Sequence, residues 1–153
     1  MICNQKRYIE LYKRSENLKK QKILFFNGNN EEYFEFIRYE AAIESYIFWK
    51  KRRLFLLLME KFVNRNISGE EFNESFCELR LKLLNEVYDF LEELRSEKVI
   101  NFYPDPRSHK FASLISFFNA ECDNFTNDYQ NEKFYDFIKD NYLKLKEALL
   151  NEE

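Results

Sequence analysis

At 153 residues the chain is long enough for one domain with a substantial core, and its 45% hydrophobic content excludes a disordered protein. It has only two glycines and two prolines, which disfavours a turn-rich all-β fold and excludes the glycine-rich loops that bind nucleotides. The net charge of −3 opposes a general affinity for nucleic acid.

Two helices are predicted in the first part of the chain. The first runs from about Gln5 to Leu24 and ends at the turn sequence FNGNN (Phe26–Asn30). The second covers Glu31–Asn64, a range without proline or glycine, and its apolar residues recur at helical spacing on a broad face. We expect one domain over residues 1–153. Residues 1–25 are either part of its bundle or a peripheral first helix.

The stretch from Ile67 to Leu94 begins with a helix start signal. Ser68 predicts an N-cap, and Glu71, three residues later, completes a capping box. Ile67 before the cap and Phe72 after it suit a hydrophobic staple. Apolar residues then recur every three or four positions, which predicts one buried stripe. The short link NRNISG predicts an antiparallel hairpin with the preceding helix.

Two loops and two helices complete the predicted fold. The prolines of NFYPDPRS (Asn101–Ser108) predict a loop, and a short helix from about Lys110 to Ala120 follows. CDNFTNDYQN predicts a second loop, and a last helix carries apolar residues at helical spacing from Phe134 to Leu149. The whole pattern predicts an all-α fold, an antiparallel bundle of four to five helices.

Charge is divided unevenly along the chain. Residues 1–65 hold 14 basic and 8 acidic side chains, whereas residues 66–153 hold 10 and 19, so each half is a candidate for a surface of one sign. The basic half could bind the phosphates of RNA, although a helix spreads consecutive cations around its axis, which also suits a solvated surface. The candidates are Lys6, Arg7, Lys13, Arg14, Lys19, Lys20, Lys50, Lys51, Arg52 and Arg53.

The sequence contains no motif that is specific for catalysis or metal binding. His109 is the single histidine and no CxxC pair exists, so a zinc site is not supported, and nothing in the spacing joins His109 with Asp105 and Cys122 as a catalytic set. Glu121 and Asp123 are candidates for a carboxylate site, but the neighbouring asparagines favour a capped loop. We therefore expect no enzyme, no cofactor and no metal.

The expected location is intracellular. The beginning of the chain, MICNQKRYIELYKR, has no apolar signal core, and the longest uncharged apolar run, Leu54–Met59, is too short to span a bilayer. Three distant cysteines fit a reducing compartment. The excess of Phe, Tyr, Ile, Asn and Lys, which have AT-rich codons, suits an organelle or a low-GC genome. We expect the cytoplasm, or the plastid stroma if the chain is organelle-encoded.

Two stretches resemble a known family. FVNRNISGEEFNESFCELR is similar to the segment of colicin-D-type immunity proteins in which a helix ends, a polar turn supplies Ile-Ser, and a Glu-Phe pair opens the next helix. FASLISFFNAECDNF (Phe111–Phe125) is similar to a second feature, an aliphatic-aromatic helix that leads into an aspartate. The chain also resembles uncharacterised open reading frames of algal plastids and cyanobacteria. The matching positions of the first stretch are Phe62, Ile67, Ser68, Glu71, Phe72, Phe76 and Leu79.

The resemblance implies a non-enzymatic helical protein whose acidic surface binds a protein partner, in the specific case the basic site of a nuclease toxin. Charge complementarity would set the specificity and the rate of association. The alternative is an RNA- or ribosome-associated factor that uses the basic N-terminal half. The partner-binding candidates that the resemblance implies are Glu70, Glu74, Glu78, Glu121, Asp123 and Asp128, expected on one face.

Overall fold

Helices account for all the regular secondary structure in the computed structural model, which describes residues 4–123 and 132–150. These two ranges contain no strand, so the predicted all-α fold is confirmed. The predicted second loop lies outside the described residues, apart from its first two positions, which end a helix. The elements are α1 (Gln5–Lys20), a 3₁₀ segment (Phe25–Gly28), α2 (Asn30–Lys50), α3 (Arg52–Val63), α4 (Gly69–Arg95), α5 (Ser108–Asp123) and α6 (Glu132–Leu150).

The described residues hold six α-helices instead of four to five, because the helix predicted over Glu31–Asn64 is divided at Lys51. Lys51 has φ −102° and ψ 9°, and its N–H is shared between the carbonyl oxygens of Ile47 and Phe48. The two halves pack differently: α2 contacts α5, α4 and α1, whereas α3 contacts α6 and α4. Leu54, an apolar residue of the predicted second helix, is 44% exposed in α3.

Helices α3 and α4 form the antiparallel hairpin predicted from their short link. The Ser68 side chain accepts a hydrogen bond from the Glu71 N–H at 3.1 Å, and the Glu71 carboxylate accepts one from the Ser68 N–H at 2.8 Å, which confirms the capping box. The ring centroids of Phe62 and Phe72 are 5.0 Å apart. A pair of this kind contributes about 0.5–1.5 kcal/mol beyond its area burial and holds the two helices in register.

The buried side chains of the described residues form a single cluster to which all six helices contribute. Its most aromatic part surrounds Phe72, which is fully buried and has ring contacts with Phe62, Phe76, Phe118 and Phe134. These contacts join α3, α4, α5 and α6 at one point. The apolar stripes predicted for α4 and α6 are buried or half-buried along their length.

The first helix contributes Tyr8 and Leu11 to this core, each 1% exposed. It packs on α2 and α4. The Gln5 amide donates a hydrogen bond to the Leu94 carbonyl oxygen at 3.2 Å and accepts one from the Ile100 N–H at 3.1 Å. The start of α1 is therefore attached to the segment that follows α4.

Candidate partner-binding surface

The three acidic candidates of α4 lie on its solvent side, opposite the stripe that enters the core. Glu70, Glu74 and Glu78 follow one another at intervals of four residues, so they occupy successive turns of one face, and all three are exposed. None has an ion-pair partner within 4.0 Å among residues 4–123 and 132–150. Lys82, one turn after Glu78, flanks the end of this row. We call the three glutamates the acidic stripe.

Two exposed apolar side chains continue the same side of α4. Leu81 is 62% exposed and Tyr88 is 64% exposed. They stand seven and fourteen residues after Glu74, which places all three on one face of the helix. From Glu70 to Tyr88 this face extends about 27 Å at 1.5 Å per residue. We call the acidic stripe together with Leu81 and Tyr88 the α4 outer face.

The structure does not bring the other acidic candidates onto this face. Asp123 is exposed at the end of α5, and Phe118, five residues earlier, has its ring centroid 6.0 Å from that of Phe72 on the inner side of α4. Asp123 therefore lies at the end of the bundle where α4 begins, but on the opposite side of that helix. Glu121 lies in α5, but its side chain is not among those that the structure describes. Asp128 lies outside the described residues.

The basic candidates of α1 are mostly paired with carboxylates of the same chain. Arg7 donates hydrogen bonds to both carboxylate oxygens of Glu35 at 3.0 and 2.7 Å, and this contact lowers the pKa of Glu35. Arg14 lies 2.9 Å from Glu32. These two arginines stabilise the packing of α1 against α2. Of the other candidates, Lys13 is paired with Glu97 and Lys19 with Glu16, and Lys6 and Lys20 are exposed.

The basic run Lys50–Arg53 is spread around the break between α2 and α3. Lys51 Nζ lies 3.4 Å from Glu86 on α4. The Arg52 guanidinium stacks 4.3 Å from the Trp49 ring and donates to the Trp49 carbonyl oxygen at 2.9 Å. The four cations therefore point in different directions. The remaining two are Lys50, 5.3 Å above the Tyr46 ring, and Arg53, in a groove between α3 and α6.

A polar cluster that the sequence did not indicate joins α1, α2 and α4. The Tyr8 hydroxyl lies 3.1 Å from Arg95 Nε and 3.2 Å from Glu40 Oε1, and Arg95 also contacts Glu40 at 3.1 Å. Burial raises the pKa of Tyr8 well above its usual range, so the hydroxyl stays protonated and donates to Glu40. All three groups are engaged with one another, which makes the cluster a structural joint.

Cys122 lies far from His109, so the structure does not bring together His109, Asp105 and Cys122 as a catalytic set. His109 is exposed at the second position of α5, and Cys122 is buried 13 residues later, about 20 Å along the helix. No group of three or more His, Cys, Asp or Glu side chains in the two described ranges is placed to hold a metal ion.

Comparison of this chain with known proteins gives no match: no family model, no curated protein and no solved structure is similar to it. The resemblance to colicin-D-type immunity proteins therefore stays a prediction that depends on the residues quoted above. In the part of the chain that the structure describes, no helix is both long enough and apolar enough to cross a membrane.

Proposed function

We propose that this protein is a non-enzymatic helical binding protein that presents the α4 outer face to a protein partner with a basic surface. The observation that supports this proposal is the alignment of three unpaired glutamates with exposed Leu81 and Tyr88 on one side of one helix. The carboxylates would steer the partner and select for its positive charge, and the two apolar side chains would supply buried area.

The acidic stripe is unfavourable for the isolated protein. Glu74 has a like charge four residues before it, at Glu70, and another four residues after it, at Glu78. Each such pair destabilises a helix by about 0.2–0.5 kcal/mol. The helix dipole compensates Glu70 in the first turn, but its effect declines beyond that turn. A basic partner would add attractions that offset these repulsions, so binding would make the electrostatic energy of the stripe more favourable.

The charge pattern on the solvent side of α6 differs from that of α4. The solvent side of α6 also carries exposed acidic residues, namely Asp136, Asp140 and Glu147. Lys139 and Lys144, however, lie within one helical turn of these carboxylates, so charges of both signs alternate on α6. On α4 the three glutamates follow one another without a cation between them, and Lys82 stands only at the end of the row, so the α4 outer face is the better surface for a basic partner.

Inhibition of a nuclease toxin is the specific form of this proposal, because the site at which such an enzyme binds nucleic acid is basic. The broader form is a cytoplasmic or plastid binding protein with another basic partner. The alternative, an RNA- or ribosome-associated factor, has less support, because Arg7, Lys13 and Arg14 are engaged with carboxylates of the same chain.

The test is a capture experiment with charge-reversed variants. Wild type, the triple variant E70K/E74K/E78K and the matched control D136K/D140K/E147K are each incubated with extract of the source organism, and bound proteins are quantified by mass spectrometry. We expect a basic protein that binds wild type and the α6 control at low salt and is lost from the α4 variant. Equal loss from both variants, or recovery of RNA instead of a basic protein, would contradict the proposal.

A further inference from the structure

Helix α3 carries exposed leucines on the side of the bundle where it runs beside α6. Leu54 and Leu57 are 44% and 50% exposed, and they lie outside the buried side of the helix, which consists of Phe55, Met59 and Phe62. Because the two leucines are three residues apart, they are neighbours on the helix surface. Two large apolar side chains are therefore in contact with water on one short helix.

Leu57 also lines a groove between α3 and α6 that has a volume of about 400 Å³. Leu56 and Leu149 add apolar side chains to the lining, and Tyr142 forms part of the wall on α6. An aliphatic side chain from another molecule suits such a lining, because it would displace water from apolar atoms.

Two residues of opposite charge stand beside these leucines. Arg53 and Glu60 both line the groove, are exposed, and are seven residues apart, so they share one edge of α3 about 10 Å from each other. In the two described ranges neither has an ion-pair partner within 4.0 Å. Glu60 accepts one hydrogen bond, from the Tyr142 hydroxyl at 3.4 Å. We call Arg53, Leu54, Leu57 and Glu60 the α3 outer face.

The α3 outer face is complementary to a copy of itself. When two α3 helices lie antiparallel about a two-fold axis, Arg53 of each copy can stand opposite Glu60 of the other. The same register brings Leu54 of one copy beside Leu57 of the other, within one helical turn. A parallel pair about an axis along the helices would instead oppose Arg53 to Arg53, and like charges repel. The charges therefore favour the antiparallel arrangement.

We propose that the α3 outer face is the interface of a symmetric homodimer in which two α3 helices pack antiparallel. Leu54 and Leu57 of both copies would supply the buried apolar area, and two ion pairs between Arg53 and Glu60 would fix the register. The groove carries charges of both signs, so it does not favour a purely acidic or a purely basic partner as the acidic stripe of α4 does.

The dimer leaves the α4 outer face of each copy exposed. Helix α3 contacts α4 through Phe62 and Phe72, whose ring centroids are 5.0 Å apart, and Phe72 belongs to the buried stripe on the opposite side of α4. The dimer contact is short, because α3 has 12 residues and extends about 18 Å. We therefore expect a weak dimer, with a Kd on the order of 10–100 μM.

The experiment is sedimentation equilibrium of the purified full chain, at concentrations from about 5 to 500 μM. We expect a monomer–dimer equilibrium that shifts toward monomer at high salt, where the two ion pairs are screened. A monomer at every concentration would overturn the proposal. Species that continue to grow beyond the dimer would also overturn it, because a two-fold interface closes at two copies.

Charge exchange shows whether the two copies pair in this register. Arg53→Glu and Glu60→Arg each oppose like charges at both ends of the interface, so either should weaken the dimer about tenfold. The double variant R53E/E60R exchanges the two charges and should restore the wild-type Kd. A double variant that dimerises no better than the single variants would overturn the antiparallel pairing.

A leucine pair of variants locates the interface. Leu57→Glu should leave only monomer, because it places a charge among the leucines of the contact. Leu81→Glu is the matched control, since Leu81 is 62% exposed on α4, and it should dimerise like wild type. Circular dichroism confirms that each variant is folded. Equal loss of the dimer in both variants, or loss in Leu81→Glu alone, would overturn the assignment to α3.

Discussion

The Tyr8 hydroxyl of α1 accepts a hydrogen bond from Arg95 Nε of α4 at 3.1 Å, across 87 positions of the chain. The same hydroxyl lies 3.2 Å from Glu40 Oε1 of α2, so one buried phenol joins three helices. The ion pairs that also hold α1 are partly exposed, and pairs of that kind contribute little individually. The docking of α1 therefore depends mainly on Tyr8 and its apolar neighbour Leu11.

We predict that Tyr8→Phe lowers the free energy of unfolding by about 1–3 kcal/mol, because Arg95 and Glu40 lose a partner in a partly buried site. Urea denaturation followed by circular dichroism measures the change. Tyr88→Phe is the matched control: its side chain is 64% exposed, and we expect a change within about 0.5 kcal/mol. Identical midpoints for Tyr8→Phe and wild type would show that the hydroxyl does not stabilise the joint.

Acid should weaken the contact between α1 and α2. The hydrogen bond from Arg7 lowers the pKa of Glu35 below its ordinary value of 4.5. The stabilisation is therefore present above about pH 4.5 and is lost as the pH falls through the lowered folded-state pKa. Because the Glu35 side chain is 34% exposed, we expect a contribution below about 1 kcal/mol.

Urea midpoints at pH 7 and pH 3 measure this contribution in wild type and in Glu35→Gln. The loss of stability in acid should be smaller in the variant, because its amide does not titrate. The same pH dependence in both proteins would exclude a role for Glu35.

The acidic stripe should reduce the stability of the free protein. Glu74→Lys removes two repulsions and gives Glu70 a lysine four residues later, so we predict a gain of about 0.5–1 kcal/mol at low salt. The gain should decline at high salt, where exposed charges are screened. Urea midpoints in low and high salt provide the measurement. A variant that is less stable than wild type at low salt would show that the stripe does not oppose folding.

Local signals were sufficient to predict much of the fold. Ser68 and Glu71 specify the start of α4 through their own side chains, and the spacing of its apolar residues identifies the buried stripe. The break at Lys51 has no such signal, because no proline or glycine marks it. It results from tertiary packing, since α2 lies against α5 and α3 lies against α6.

The candidate surface could be predicted in part. The common face of Glu70, Glu74 and Glu78 follows from their spacing. Leu81 and Tyr88 could also be identified from the sequence, because they lie outside the apolar stripe, seven and fourteen residues after Glu74. The ion pairs that join α1 to other elements and the Tyr8 joint connect residues that are distant in sequence, so no local pattern could predict them.

Photocrosslinking from the position of Tyr88 tests the proposed role of the α4 outer face most directly. A photoreactive phenylalanine analogue is placed there or, as the matched control, at Tyr103, which is 84% exposed in the segment between α4 and α5. In extract of the source organism we expect a crosslinked basic protein from the Tyr88 position and none from the Tyr103 position. Crosslinks from Tyr103 alone, or a product at Tyr88 that contains RNA and no protein, would contradict the account.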